Sequence, residues 1–148
     1  MTGIIGLDLS TACCGVADAL GRCHSVKPAA GAQDPARRLH QLVDGLEHYM
    51  IVGGPKIAVV EAFMPGARGR TAFIIGEVHG AVKLRLFENG LSFVEVKPNV
   101  LKKYATGKGN AGKDDMIRAA RDAGATVEDD DQADAWWLRQ WGLENLDG

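Results

Sequence analysis

The stretch Ile4-Ile5-Gly6-Leu7-Asp8-Leu9-Ser10 decides the architecture of this chain, because it is an apolar, β-branched run that contains one acid. Such a run predicts a central strand. A second run, Ile57-Ala-Val-Val-Glu61, is continuously apolar, as expected of a strand buried on both faces, and it also ends in a carboxylate. A charged residue at the end of a buried strand is costly unless it is paired or binds a metal ion. Asp8 and Glu61 are therefore candidate metal ligands.

Two further acids lie near the end of the chain, in Asp131-Gln-Ala-Asp134-Ala. Their i, i+3 spacing would project both from one face of a helix. The four carboxylates are typical of a divalent-metal site for phosphodiester cleavage, since two Mg²⁺ ions can activate a water and neutralise the leaving oxygen. Two alternatives stay open: Asp131 would be a helix N-cap, and Glu61 and Asp134 would form salt bridges to a Lys or Arg.

The composition indicates an ordinary globular protein, with 148 residues, 46% of them hydrophobic and 24% charged. We expect a single domain over residues 1–148. No apolar run approaches the roughly 20 residues that span a bilayer, and no charged-then-apolar leader is present, so we expect no membrane partner. The three cysteines are odd in number and suggest neither a disulfide framework nor a Cys-x-x-Cys metal site, which favours a reducing cytoplasm.

The element order that the sequence predicts is β-β-β-α-β-α-β-α-α. Strands are predicted near residues 4–9, 14–20, 23–27, 57–61 and 92–97. The first helix begins at Asp34-Pro35, with Asp as N-cap, and ends at Gly53. The second follows a basic loop over residues 64–70 and stops at Asn89-Gly90. The third begins at an Asn110 cap, and the last runs from about Asp131 to Trp141.

The charge is strongly asymmetric along the chain. Residues 68–113 carry nine Lys or Arg against three acids, whereas residues 114–148 carry three against ten. The middle of the chain could therefore face a polyanion, although solvated surfaces would give the same composition. Lys113 lies in the first turn of a predicted helix, where free N–H groups and the helix dipole favour a phosphate.

Aromatic side chains offer a second kind of nucleic-acid contact. Phe63 and Phe73 are candidates for stacking on unpaired bases, as in single-strand binders. Alternatively, Phe63 is structural and Phe73 belongs to the core of the second helix. The three tryptophans of the last helix are predicted to pack against the sheet, and the four histidines are predicted to be surface or partly buried residues: Trp136, Trp137, Trp141, His24, His40, His48 and His79.

The order of elements and acids resembles the ribonuclease H-like fold of metal-dependent nucleases, and more closely the RuvC family of Holliday-junction resolvases. Ile-Gly-Leu-Asp8-Leu-Ser is similar to the first-strand motif, Val-Val-Glu61 to the second, and Asp131-Gln-Ala-Asp134-Ala to the last-helix motif. The segment from Pro98 to Lys113 is the most specific match. The resemblance implies an α/β fold with a five-stranded mixed sheet flanked by helices.

The same resemblance implies a metal-dependent endodeoxyribonuclease that makes paired nicks in Holliday junctions, with two Mg²⁺ ions per active site and Mn²⁺ as a substitute. The implied catalytic residues are Asp8, Glu61, Asp131, Asp134 and Lys113, of which the four acids bind metal. The implied DNA contacts are Lys102, Lys103, Lys108, Lys113, Arg68, Arg70, Phe63 and Phe73. Leu9-Ser10 stands where the family commonly has Pro-Gly, which leaves substrate selectivity open.

A four-way junction presents two symmetry-related strands, so one active site per chain implies a two-fold homodimer. The second helix is the expected interface, because Gly76 and Gly80 permit close approach and the segment from Phe73 to Leu86 is rich in apolar residues. A monomeric core helix is the alternative.

Three other functions are weighed against a resolvase. A less selective flap or fork nuclease, or an RNA–DNA hybrid nuclease, would use the same fold. Gly-Leu-Asp8-Leu-Ser-Thr also resembles the first phosphate motif of actin-like sugar kinases, but 148 residues provide only one of the two lobes needed. A catalytically silent junction-binding protein would not need four acids. The expected location is the cytoplasm of a bacterium or of a phage-infected host.

Overall fold

The computed structural model describes residues 3–63 and 68–146. In these residues the strands are β1 (Ile4–Asp8), β2 (Cys14–Ala17), β3 (Cys23–Val26), β4 (Ile57–Glu61) and β5 (Ser92–Val96). The helices are α1 (Pro35–Ile51), α2 (Gly69–Glu88), α3 (Pro98–Thr106), α4 (Lys113–Asp122) and α5 (Asp130–Asn145). No helix among the described residues is both long and apolar enough to cross a bilayer.

The strands form one mixed sheet in the order β3-β2-β1-β4-β5. β1 pairs antiparallel with β2, and β2 with β3, whereas β1 and β4 are parallel, as are β4 and β5. The five-stranded mixed sheet flanked by helices is confirmed. Because β1 and β4 are adjacent and parallel, their carboxyl ends meet at the same edge of the sheet.

Alternation along β1 assigns its side chains to two layers. Ile5 and Leu7 pack in a core that includes residues of α1 and α2, and Ile4 packs with α5 on the opposite face. Successive side chains of a strand point to opposite faces, so Asp8 shares the α5 side with Ile4 and Gly6. In β4, Val59 packs on the α5 side, and Glu61 follows it by two residues. Both acids therefore face α5.

Two glycines let α5 lie directly on the sheet. A Cβ atom at Gly6 would be 2.0 Å from the carbonyl oxygen of Ala135, and one at Gly15 would be 2.1 Å from the carbonyl oxygen of Asp131. No side chain fits in that space, since such contacts are far inside van der Waals distance. This close approach brings the first turn of α5 to the end of β1.

The structure contains one helix, α3, that the sequence analysis did not predict. Pro98–Thr106 forms α3, which begins with Pro98 and ends at Gly107 in the left-handed region (φ 84°). Pro at the first position and Gly after the last are helix signals. The helix is only nine residues long, so little apolar periodicity accompanies them. The next helix begins at Lys113 rather than at the predicted Asn110 cap, because Gly112 is its N-cap and its N–H donates to Asp115.

Asp18 is buried in the turn after β2 and is fully engaged in hydrogen bonds. Its Oδ1 accepts the backbone N–H groups of Leu20 and Arg22, both at 2.9 Å, and its Oδ2 lies 2.8 Å from Nε2 of His24. Burial acts to raise the pKa of Asp18, but the hydrogen bonds from His24, Arg22 and Leu20 outweigh it, so the pKa lies below its ordinary value. Ionised Asp18 therefore stabilises the fold.

We expect Asp18→Asn to lower the free energy of unfolding by about 2 kcal/mol at pH 7, since it removes charge-assisted hydrogen bonds. A depressed pKa gives stability that is present above the unfolded-state pKa and is lost as the pH falls through the folded-state pKa. Denaturant unfolding from pH 7 to pH 3 should therefore show the two proteins converging at acidic pH. A difference that stays constant with pH would contradict this account, and Asp122→Asn, at the exposed end of α4, is the control.

Candidate active site

Three carboxylates converge at the edge where β1 and β4 end. Asp8, Glu61 and Asp134 each offer an oxygen, and these three oxygens lie within 4.8 Å of one another. Asp8 and Glu61 come from neighbouring parallel strands, and Asp134 comes from α5 above them. The close packing of α5 on Gly6 and Gly15 sets the height of Asp134 over the two strands.

Asp131 lies beside this cluster, one helical turn before Asp134. It interacts with Asp8 through its charge and through a side-chain hydrogen bond. Its carboxylate also groups with Cys13 and Asp129, again with ligand atoms within 4.8 Å of one another. The N-cap of α5 is Asp129, which accepts the N–H of Gln132 at 2.9 Å, so the alternative of Asp131 as N-cap is wrong.

Burial and neighbouring carboxylates raise the pKa of Asp8 and Asp134. Burial is the largest cause for Asp8, followed by the charges of Asp134, Glu61 and Asp131, and its pKa lies well above the ordinary value. The pKa of Asp134 rises to about 7, first through burial and then through Glu61, Asp130 and Asp131. Burial also raises the pKa of Glu61. Ionising these carboxylates therefore costs free energy unless cations bind at the same site.

The donor set fits a hard divalent cation. Its members are carboxylate oxygens, which Mg²⁺, Mn²⁺ and Ca²⁺ prefer. Asp134 Oδ1 is buried and has no hydrogen-bond partner among the described residues, which is rare for a buried polar atom. Asp8, Glu61 and Asp134 would hold such an ion, and Asp131 lies where it can complete a second position next to Asp8.

Lys102 is a basic residue whose charge acts on Glu61 and Asp134 of the cluster. It is half-buried on α3 next to the fully buried Leu101, which anchors that helix in the core. Its charge lowers the pKa of both Glu61 and Asp134. The sequence predicted Lys102 as a DNA contact, and the structure places it close enough to act on the carboxylates as well.

Lys113 lies at the rim of the site. It is the first residue of α4, its side chain is 82% exposed, and its Nζ is 3.8 Å from Asp130, the first residue of α5. The other predicted DNA contacts with a positive charge are exposed and lie on α3, on α2 or in the segments next to them: Lys103, Lys108, Arg68 and Arg70. The predicted basic loop over residues 64–70 lies outside the described residues at positions 64–67.

The predictions for the aromatic residues have different outcomes. Phe73 is 70% exposed, so its assignment to the core of α2 is wrong; it lines a surface groove with Pro35 and Leu39 of α1. Phe63 is half-buried and contacts His79, which is itself buried, contrary to the prediction for that histidine. The tryptophans pack between α5 and its neighbours as predicted: Trp136, Trp137 and Trp141.

Cys13 and Asp129 were missed by the sequence analysis. Both lie next to Asp131, and the charges of Asp131 and Asp129 add to burial in raising the pKa of the Cys13 thiol. Only the antiparallel pairing of β1 with β2 brings residue 13 to this edge, since Asp8 pairs with Gly15. No local pattern in the sequence signals that contact.

Solved structures share this architecture. The chain superimposes on Thermus thermophilus RuvC with a TM-score of 0.75 and 17% identity, covering 95% of both chains. T. thermophilus RuvC in complex with a Holliday junction substrate matches with a TM-score of 0.75 and 20% identity, over 92% of this chain and 89% of that one. The chain has a mixed five-stranded sheet with acids at the ends of its parallel central strands. Together with the likeness to these two structures, this sheet defines a ribonuclease H-like fold.

Sequence comparison identifies the family. Residues 4–137 match the family described as crossover junction endodeoxyribonuclease RuvC. RuvC of Anaeromyxobacter dehalogenans (strain 2CP-C) is 39% identical over 101 residues, or 68% of this chain and 55% of that protein. RuvC of Brachyspira hyodysenteriae is 32% identical over 104 residues, or 70% of this chain and 65% of that protein. This chain belongs to the RuvC family. Its aligned part spans only about half the length of the Anaeromyxobacter relatives.

Proposed function

We propose that residues 1–148 act as one nuclease domain, a metal-dependent endodeoxyribonuclease that resolves Holliday junctions by paired symmetric nicks. The observation that carries this proposal is the convergence of Asp8, Glu61 and Asp134, with oxygens within 4.8 Å, at the edge of a ribonuclease H-like sheet. The relatives' names support the substrate, since each is a crossover junction endodeoxyribonuclease. The enzyme would act in the cytoplasm of a bacterium or a phage-infected host.

Two Mg²⁺ ions per site, with Mn²⁺ as a substitute, would supply the activated water and the neutralisation of the leaving oxygen. Asp8 would contribute to both ions, a role supported by its closeness to Glu61 and Asp134 and by its interaction with Asp131. Lys102 offers a positive charge at the cluster, and Lys113 lies at the N-terminus of α4. Both suit the phosphates that flank the cut.

Competition between branched substrates tests the proposed selectivity. Labelled four-way junction is cut in the presence of unlabelled three-way junction, flap, RNA–DNA hybrid or linear duplex. We expect only unlabelled four-way junction to compete efficiently. Equal competition by flaps and three-way junctions would make the protein a general debranching nuclease, and preferential cutting of RNA–DNA hybrid would overturn the proposed substrate.

Replacing Lys102 tests its double role. We expect Lys102→Ala to weaken junction binding and to reduce the slope of log K against log salt by about 0.9. We also expect it to lower the cleavage rate by a larger factor than it lowers the affinity for the junction. The reason is that its charge reaches Glu61 and Asp134. Lys103→Ala, on the exposed side of the same helix, is the matched control and should change binding only. A cleavage defect no greater for Lys102→Ala than for the control would remove Lys102 from the site.

We infer that the second copy in a homodimer packs on a stripe of α2. The stripe consists of residues at i, i+3 and i+4 spacing along one face of α2: Phe73, Gly76, Gly80, Leu84 and Phe87. Its three large side chains are 70%, 60% and 78% exposed. A Cβ atom at Gly76 or Gly80 would meet nothing within 4 Å, so both backbones are open to a partner. Exposed apolar surface of this kind is typical of an interface.

The stripe is symmetric about Gly80. Phe73 and Phe87 are equally distant from it along the helix, as are Gly76 and Leu84. In an antiparallel pair of α2 helices with the two-fold axis at Gly80, each Leu84 would face the partner's Gly76, and each Phe73 the partner's Phe87. Large residues would thus fill the gaps left by small ones, as helix packing requires.

Gly80→Glu tests this interface. We expect the substitution to convert the dimer to a monomer in light scattering, because it places a charge at the axis, and to leave the helical content in circular dichroism unchanged or higher, since the position is open and Gly is a poor helix former. Leu20→Glu, in an equally exposed apolar position outside α2, should leave the mass unchanged. A Gly80→Glu protein that remains dimeric would contradict the proposed interface.

A further inference from the structure

His79 occupies an unusual position for a polar residue. It lies on the face of α2 that carries Val78 and Val82, it is 7% exposed, and its Nδ1 has no hydrogen-bond partner among the described residues. An aliphatic residue such as leucine at this position would avoid the cost of an unpartnered buried nitrogen. Fold stability alone therefore does not explain the presence of a polar aromatic ring.

The neighbours of His79 are the ring of Phe63 and the charged pair Lys83 and Glu95. The ring of Phe63 contacts it with centroids 5.8 Å apart and planes tilted by 58°. Lys83, one turn later on α2, pairs with Glu95 of β5 at 3.3 Å, and both charges act on His79. Burial lowers the pKa of His79 below its ordinary value, with Glu95 raising it and Lys83 lowering it. The ring that supports Phe63 at neutral pH is therefore uncharged.

Phe63 is close in the chain to the acidic cluster, and its ring is turned toward α2, on the face of the sheet opposite α5. It follows Glu61 by two residues, so their Cα atoms are at most about 7 Å apart. The N–H of Ala62 donates to Val96 at 2.8 Å, which continues the β4–β5 pairing past Glu61 and fixes the start of this segment. The backbone is thereby held, and the direction of the Phe63 ring depends on what packs beneath it.

We propose that His79 is a positioning residue for Phe63: its buried ring is the platform that directs Phe63 against an unpaired base next to the scissile phosphate. This inference rests on the proposed function. A ring supported from below loses less freedom when a base stacks on it, and an aromatic platform preserves the angle of Phe63. His79 itself does not touch DNA or metal in this account, since it is buried under Phe63.

The first test measures base opening without cleavage. A four-way junction with 2-aminopurine at the crossover is bound in EDTA, and the rise in fluorescence reports the unstacked base. We expect His79→Ala and Phe63→Ala each to reduce the rise by about tenfold, and the double variant to be no worse than either. His79→Phe, which keeps a ring, should restore the rise. Additive losses in the double variant, or no effect of Phe63→Ala, would overturn the proposal.

The second test separates positioning from stability. Val82→Ala removes packing from the same face of α2 without touching Phe63, and it should lower the melting temperature while leaving base opening intact. On a junction whose crossover bases are already mismatched, His79→Ala should cleave as well as the unmodified protein. Equal defects on paired and mismatched junctions would show that His79 is merely structural. If the unmodified protein cuts neither junction, the proposed function fails instead, and the fluorescence comparison still decides the role of His79.

Discussion

We expect Asp8→Asn to reduce junction cleavage by at least about 1,000-fold, while junction binding is kept or strengthened. We expect a large loss because the ligand oxygen of Asp8 lies within 4.8 Å of those of Glu61 and Asp134, and Asp8 also interacts with Asp131, so it would help to hold every cation in the proposed site. Such charge stabilisation of a phosphoryl transition state is worth several kcal/mol, and each 1.36 kcal/mol is tenfold in rate. Binding persists because the basic surface of α3 and α4 is unchanged and a negative charge near the phosphate is gone. Gel shift and single-turnover cleavage measure the two effects.

The same variant should be more stable than the unmodified protein when metal is absent. The pKa of Asp8 is raised by burial and by the neighbouring acids, so its ionised form opposes folding at neutral pH, and that penalty disappears as the pH falls through the raised pKa. Asparagine removes the penalty at every pH. Thermal melts in EDTA at pH 7 to 8 should therefore show a higher melting temperature for Asp8→Asn than for the control Asp114→Asn, which is exposed on α4. A lower melting temperature together with lost binding would indicate a structural role for Asp8.

Gly6→Ala is expected to destabilise the fold by about 3 kcal/mol or more and to disable the site as well. The added Cβ would lie 2.0 Å from the Ala135 carbonyl oxygen and 2.8 Å from the Arg139 nitrogen, and both atoms belong to the backbone of α5. Backbone cannot turn aside as a flexible side chain can, so the helix must move away from the sheet. Asp131 and Asp134 are on that helix and would move with it.

Chemical denaturation gives the stability change, and metal-dependent cleavage by the folded fraction gives the effect on the site. The matched control is Gly3→Ala just before β1, where the nearest atom to a new Cβ is 3.4 Å away, an ordinary contact. It should change stability by less than about 1 kcal/mol. Gly6→Ala behaving like Gly3→Ala would mean that the close approach of α5 to β1 does not set the position of the acids.

The strands that carry the site could be predicted because their signals are local. Ile4–Asp8 and Ile57–Glu61 are short apolar runs, each with an acid at its end, and the alternation of side chains makes both acids face one side. The pair Asp131 and Asp134 was predicted on one face of a helix from its spacing alone. The resemblance to a family then supplied the order in which these elements meet.

The remaining features depend on contacts between distant segments. Lys102 reaches Glu61 and Asp134 only because α3, a nine-residue helix missed in the sequence, packs beside β4 and α5. The exposure of Phe73 and the burial of His79 follow from which face of α2 meets the sheet. Because α2 is apolar on more than one face, its periodicity did not identify the inner one.

A metal-dependent resolvase is tested most directly by cleavage of a four-way junction, with each strand end-labelled in turn, in Mg²⁺ or in EDTA. We predict Mg²⁺-dependent nicks at symmetric positions in two opposing strands, with the products sealed by DNA ligase, and no cleavage in EDTA. Undiminished cleavage in EDTA, or no cutting of the junction in Mg²⁺ or Mn²⁺ by protein that binds it, would contradict the assignment of Asp8, Glu61 and Asp134 as the centre of a metal-dependent resolvase.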